Sequence, residues 1–102
     1  MFNSVQLIGR LSVDPVSDAF AARSTVTVRL AVANAAGFDG LERPEIVPVA
    51  AEGPLGEEIL DCLVKGALVA VEGQLRTRKD QLVVFASRVS RLDRPATLPR
   101  TG

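Results

Sequence analysis

The chain has 102 residues, 47% of them hydrophobic, and its 12 basic and 12 acidic residues give a formal net charge of zero. These values predict one folded domain and exclude a disordered chain, and no apolar run approaches the roughly 20 residues of a membrane-spanning helix. The sequence has no histidine and a single cysteine, which excludes histidine-based metal sites and general bases and any intramolecular disulfide, so we expect neither enzymatic activity nor a cofactor.

Two strands are predicted in the first third of the chain. Asn3 to Leu11 forms the first, and residues 12–23 contain Asp-Pro, Ser-Asp and paired alanines, which are typical of a loop. Thr25 to Ala33 alternates between apolar and other residues and forms the second strand. Its predicted core face consists of Val26, Val28, Leu30 and Val32. Its predicted outward face consists of Thr25, Thr27, Arg29 and Ala31.

A loop, a third strand and a helix follow. Residues 34–44 hold two glycines and a proline and are predicted to form a loop. Glu45 to Glu52 is the third strand, and Pro48 within it lacks an N–H donor, so this position should lie at an edge or a bulge. Residues 54–65 are predicted to be helical, because acids stand near the start and Lys65 near the end, as the helix dipole favours. The expected acids are Glu57 and Glu58.

The predicted helix has one apolar stripe, made of Ile59, Leu60, Leu63 and Val64. Gly66 suits a C-terminal cap. Cys62 lies beside the stripe, and we interpret it as a small core residue, with a reactive thiol as the alternative.

A hairpin is predicted for the last part of the domain. Gly73 interrupts the apolar run that begins at Leu68, and such a glycine usually marks a bulge or a bend. Arg76 and Arg78 stand two residues apart and therefore point to the same face of an extended strand. Lys79-Asp80 predicts a tight turn into a second strand over residues 81–92.

Several segments resemble the bacterial single-stranded-DNA-binding protein family. The segment KGALVAVEGQLRTRK, residues 65–79, closely resembles that family's fourth strand. The opening FNSVQLIGRL, followed by Asp14-Pro15, is similar to its first strand, and residues 45–57 are similar to its third strand and the turn into its helix. The resemblance covers residues 1–93. It implies an all-β OB-fold, a five-stranded Greek-key barrel with one short helix between strands 3 and 4. We expect this domain over residues 1–93 and a short disordered tail over residues 94–102.

The family's stacking aromatics are missing. Proteins of this class stack bases on aromatic rings, and each stacked base contributes ~1–3 kcal/mol. The matching positions here hold Ala36, Ile46, Glu52 and Asp80. Phe38 is the remaining stacking candidate, with a hydrophobic anchor for its loop as the alternative. Phe2, Phe20 and Phe85 are predicted to be packing residues.

The resemblance implies single-stranded DNA binding in replication, recombination or repair, mainly through basic residues. The candidate binding residues are Arg10, Arg29, Phe38, Arg76, Arg78, Lys79 and Arg88. Arginine suits this role because its planar fork matches phosphate and stacks on bases. In the alternative interpretation these side chains are only the solvent-exposed polar residues of their β-strands. The chain is then an oligomeric OB-fold scaffold or protein-interaction module that has lost most single-stranded DNA binding.

The resemblance also implies partners. The family's first strand pairs with its own copy across a two-fold axis, so we expect a homodimer or a tetramer formed through residues 3–11. Replication proteins are further expected partners, and no membrane is expected. The chain start lacks the basic segment and long apolar core of a signal peptide, which favours a cytoplasmic, nucleoid-associated protein.

Overall fold

The computed structural model describes residues 1–18, 25–33 and 43–93. The strands in these ranges are β1 (Val5–Leu11), β2 (Val16–Asp18), β3 (Thr25–Ala33), β4 (Pro44–Glu52), β5 (Leu68–Arg78) and β6 (Gln81–Arg91). The helix α1 (Gly53–Cys62) lies between β4 and β5. The predicted loop at residues 34–42 and the predicted tail at residues 94–102 lie outside the described residues.

Five strands close into a barrel in the order β1-β5-β6-β4-β3, and a pairing between β1 and β3 completes the ring. The β4–β6 pairing is parallel and the others are antiparallel. This is the predicted OB-fold. The prediction of a loop over residues 12–23 is wrong for β2, because Val16 to Asp18 pair with the first residues of β3.

The core forms where the inward faces of the strands meet. Val26, Val28 and Leu30 are almost completely buried there, which confirms the alternation predicted for β3. Thr25, predicted to face outward into solvent, is only 3% exposed. It lies opposite Glu52 in the β3–β4 pairing and lines a groove together with side chains from β5 and β6. Pro48 lies opposite Arg29 of β3, outside the two residue pairs that join β4 to β6, as expected for an edge position.

Helix α1 ends earlier than predicted. Leu63 adopts an extended conformation at the C-cap, and its N–H still donates to the carbonyl of Ile59. The next residues form bonds to other parts of the chain. The Lys65 N–H donates to Asp14 Oδ1 at 2.7 Å, and the Gly66 N–H donates to the Leu11 carbonyl at 2.8 Å. These bonds to the end of β1 and to the following turn replace the predicted last helical turn.

Three further predictions for this helix are wrong, and a fourth, the apolar stripe, is confirmed only in part. Neither acids in its first turn nor a base in its last turn are present, and Gly66 lies in a separate turn with a φ of 92°. Of the predicted stripe, Ile59 and Leu63 are buried, whereas Leu60 and Val64 are exposed. Cys62 is exposed and is not a core residue. The helix contacts the barrel through the narrower line of Gly56, Ile59 and Leu63, and the side chains beside that line remain in solvent.

The predicted bulge and tight hairpin are both confirmed. The β5–β6 register shifts between Glu72 and Gly73. Lys79 and Asp80 both adopt positive φ angles, 51° and 63°, as in the two-residue turns that match the twist of a hairpin.

Asn3 continues the β1–β5 pairing past the end of β1. That pairing reaches Val5 opposite Gly73. Beyond it, the Asn3 side-chain amide donates to the Leu75 carbonyl at 2.9 Å and accepts from the Leu75 N–H at 2.8 Å. One side chain thereby occupies both main-chain groups of a residue in the second half of β5. This half of the strand carries Arg76 and Arg78, so Asn3 holds their backbone in place.

Asp93 fixes the end of β6 to its neighbours. Its Oδ1 accepts from the Leu68 N–H at 3.0 Å and from Arg91 Nε at 3.1 Å, and its Oδ2 lies 3.4 Å from Arg10 Nη1. The Leu68 N–H, followed by the Arg91 and Arg10 guanidiniums, holds the pKa of Asp93 below its ordinary value of 3.8. The carboxylate therefore connects the end of β1, the start of β5 and the end of β6.

We expect Asp93→Asn to lower the melting temperature at neutral pH. The pKa of Asp93 is lower in the folded chain than in the unfolded chain, so the ionised carboxylate stabilises the fold at pH values above the pKa of the unfolded chain. This stabilisation is lost as the pH falls through the pKa of the folded chain. The difference between the variant and the native chain should therefore shrink below about pH 4. Thermal melts across this range provide the measurement, with the exposed Asp61→Asn as control. A deficit that is independent of pH would contradict this role.

Candidate nucleic-acid interface

A groove of about 240 Å³ crosses the outer face of the barrel. Its lining comes from one residue of β3, one of β4, three of β5 and two of β6, namely Thr25, Glu52, Arg76, Thr77, Arg78, Val83 and Phe85. We call it the arginine groove. The prediction that Arg76 and Arg78 share a face is confirmed, and both side chains border this one space.

The hairpin register places these residues together. Across β5 and β6, Gln74 lies opposite Phe85, Arg76 opposite Val83 and Arg78 opposite Gln81. Paired residues in an antiparallel ladder point to the same face. Val84, between two of them, is buried in the core, so its neighbours must point outward. The groove is thus a consequence of the two-residue turn.

Phe85 is part of the groove, and its prediction as a packing residue is wrong. The ring is half-buried on the outer face, outside the core cluster. The Arg76 guanidinium carbon lies over the ring, 4.3 Å from its centroid. Such a cation–π contact contributes ~0.5–1 kcal/mol at an exposed site. It favours this position of the guanidinium, over the ring and beside the groove.

Glu52 places a carboxylate in the same groove. It ends β4 and occupies the N-cap of α1, but its side chain makes no capping hydrogen bond. Within the part of the chain that the structure describes, no hydrogen bond or ion pair engages it. It is half-buried, and it brings a negative charge beside two arginines where the family pattern expects an aromatic ring.

Two other predicted site residues lie on or near this face. Arg29 is exposed on the outer face of β3, opposite Pro48. Its carbonyl accepts from the Ser12 N–H and hydroxyl. Lys79 is exposed in the turn that follows Arg78. Neither lines the arginine groove, but Lys79 directly follows Arg78, which does.

Of the remaining predicted residues, the two in the described ranges, Arg10 and Arg88, lie elsewhere. Arg10 donates to the Gly66 carbonyl at 2.9 Å and pairs with Asp93, so its guanidinium is engaged within the fold. Arg88 lies on the other side of the bulge, opposite Glu72. Phe38 lies outside the described residues.

Of the other positions where the family expects aromatics, Ile46 is exposed on β4 and Asp80 lies in the hairpin turn. Ala36 is outside the described ranges. Among residues 1–18, 25–33 and 43–93, no three or more potential metal ligands come together. No helix among them is long and apolar enough to cross a membrane.

The chain matches the model of the single-strand binding protein family over residues 2–89. It is 34% identical to single-stranded DNA-binding protein 2 of Streptococcus agalactiae serotype III and 35% identical to single-stranded DNA-binding protein 1 of Streptococcus pyogenes serotype M6. Each alignment covers 78% of this chain and 62% of the relative. The chain therefore spans less than two thirds of the length of these relatives.

Two solved structures share the fold. The small single-stranded DNA-binding protein from Streptomyces coelicolor superposes with a TM-score of 0.73 at 22% identity, over 89% of this chain and 94% of that one. The wild-type single-stranded DNA binding protein from Thermus aquaticus gives a TM-score of 0.75 at 29% identity, over 96% of this chain and 44% of that one.

Proposed function

Because this chain belongs to the single-strand binding protein family, we propose that it binds single-stranded DNA along the arginine groove and acts in replication, recombination or repair. The observation that carries the proposal is the convergence of Arg76, Arg78 and Phe85 on one outer space. Two guanidiniums beside an aromatic ring supply both interactions that single-strand binders combine, phosphate attraction and base stacking.

Electrostatic attraction dominates this mode of binding. The described residues place two arginines but only one aromatic ring in the groove, so phosphate contacts outnumber stacking platforms. Arg29 and Lys79 extend the basic surface beyond the groove. The affinity should therefore depend more strongly on salt than on the number of stacked bases.

The test is a binding isotherm with labelled oligo-dT at several salt concentrations. For single strands, log affinity should fall with log salt by ~0.7 for each phosphate contact, so two groove contacts predict a slope of at least ~1.4. Binding that is indifferent to salt would contradict the proposal. If the chain assembles normally but binds no oligonucleotide at low salt, the scaffold function is the correct one.

We also propose that the chain forms a homo-oligomer through β1. On one side β1 pairs with β5 from Val5 to Arg10, but on the other it meets β3 only at Arg10 and Leu11. The edge from Val5 to Gly9 thus has no strand partner among the described residues, and Ile8 beside it is exposed. Light scattering should give a dimer or tetramer at micromolar concentration, and a monomer alone would contradict it.

We further propose that the protein acts in the cytoplasm at the nucleoid, with replication proteins as further partners.

A further inference from the structure

We propose that Glu52 makes the arginine groove selective for the base, favouring cytosine over thymine and uracil. This inference rests on the proposed function, because it concerns how a bound strand is recognised. The Glu52 carboxylate repels phosphate, but in this role it accepts a hydrogen bond from the edge of a base.

The Glu52 carboxylate is available for this role. An N-cap glutamate at the start of a helix could bond to the first backbone N–H groups, but this side chain does not. Among the described residues it also forms no ion pair, although Arg76 and Arg78 line the same groove. Its half-buried position restricts its contact with water. A carboxylate in this state has acceptor capacity that a ligand can use.

A base can enter beside it. At ~30 Å³ per water molecule, the groove of about 240 Å³ holds roughly eight waters, a space comparable with one nucleobase. Arg76 is held over Phe85 at 4.3 Å, and bases stack on guanidinium planes as well as on aromatic rings. A base stacked at this pair would direct its edge along the groove, where Glu52 is among the lining residues.

The hydrogen-bonding pattern of each base decides which one fits. Cytosine carries an amino group at position 4, and a carboxylate accepts from that group. Thymine and uracil carry a carbonyl oxygen at the same position, and two acceptors facing each other repel. Arg78 lines the same groove and would contact the neighbouring phosphate. The carboxylate therefore discriminates, while the arginines supply most of the affinity.

The test compares oligodeoxycytidine with oligodeoxyuridine of equal length, because these pyrimidines differ only at positions 3 and 4 of the ring. The native chain should bind oligodeoxycytidine about fivefold more tightly, or better, from the range measured for specific base contacts. Glu52→Gln should remove most of this preference, mainly by raising the affinity for oligodeoxyuridine, since an amide can also donate to the carbonyl. Glu58→Gln, the same charge change on α1 outside the groove, should keep it.

Equal affinities in the native chain, or an unchanged preference in Glu52→Gln, would overturn the inference while leaving the proposed function intact. Absence of salt-dependent binding to both oligonucleotides would overturn the proposed function and this inference with it. A preference lost in Glu52→Gln and kept in Glu58→Gln supports the inference. Circular dichroism of the variants confirms that folded proteins are compared.

Discussion

Gly73→Ala should destabilise the barrel by about 3 kcal/mol or more, because it forces a side chain into closely packed backbone. A β-carbon at this position would overlap the Phe85 carbonyl oxygen and lie 3.0 Å from the Cα of Ala86. Both are main-chain atoms of β6, so no rotamer change relieves the contact. The β5–β6 ladder at the bulge must open, which also displaces Phe85 and the Arg76 guanidinium above it. Denaturant unfolding measures the loss.

Gly66→Ala is the matched control for this effect. Gly66 has a φ of 92°, and a β-carbon there would have no neighbouring atom within 4 Å, so alanine meets only the backbone preference, ~1–2 kcal/mol. The loss at Gly73 should be clearly larger than the loss at Gly66. Comparable losses at the two positions, or a Gly73→Ala chain as stable as the native one, would contradict the steric account of the bulge.

Replacing Arg76 and Arg78 together with alanine should weaken oligo-dT binding on the order of 100-fold at low salt, since hydrogen bonds to charged groups contribute ~1.5–3 kcal/mol each and exposure reduces this. The salt slope should fall by ~1.4, which is ~0.7 for each lost phosphate contact. The change removes both guanidiniums of the groove and uncovers the Phe85 ring. Anisotropy of a labelled oligonucleotide measures both quantities.

Lys65→Glu separates a local effect from a change in net charge. The native chain has a net charge of zero, and either the loss of two arginines or the reversal of one lysine gives −2. Lys65 is exposed in the turn after α1 and does not line the groove. Lys65→Glu should keep most of the affinity. A loss equal to that of the double variant would show that only the overall charge matters and would contradict a localised groove.

The strands were the most predictable part of the fold, because their signals are local. The alternation from Val26 to Val32 gives the bounds of β3 and its core face, and a lone Gly73 within an apolar run marks the bulge. The helix end was less predictable. Bonds from Lys65 to Asp14 and from Gly66 to Leu11 end it, and those partners lie about 50 residues away along the chain. Contacts between residues so far apart along the chain produce no periodic pattern in the sequence of the helix itself.

The candidate site was predicted only in part. Arg76 and Arg78 follow from their spacing, but Phe85 stands in a continuous apolar run that shows no alternation. A usable signal did exist in the sequence. A two-residue turn at Lys79-Asp80 fixes the pairing of Arg78 with Gln81, and counting outward puts Arg76 opposite Val83 and Gln74 opposite Phe85. Phe85 then lies on the same face of the hairpin as Arg76 and Arg78. The uncapped state of the Glu52 carboxylate could not be derived, because its lack of a capping bond is a property of the folded helix end.

The central claim, that single-stranded DNA occupies the arginine groove, is tested most directly by fluorescence of a Phe85→Trp chain. The sequence has no tryptophan and no tyrosine, so the introduced indole is the dominant fluorophore, and the half-exposed ring position leaves room for it. Val64→Trp, at an exposed site after α1, is the control. We predict that oligo-dT quenches the emission of the Phe85→Trp chain at low salt, that added salt reverses the quenching, and that the emission of the Val64→Trp chain stays unchanged. Constant emission from the Phe85→Trp chain while a labelled oligonucleotide binds would place the DNA elsewhere and contradict the account.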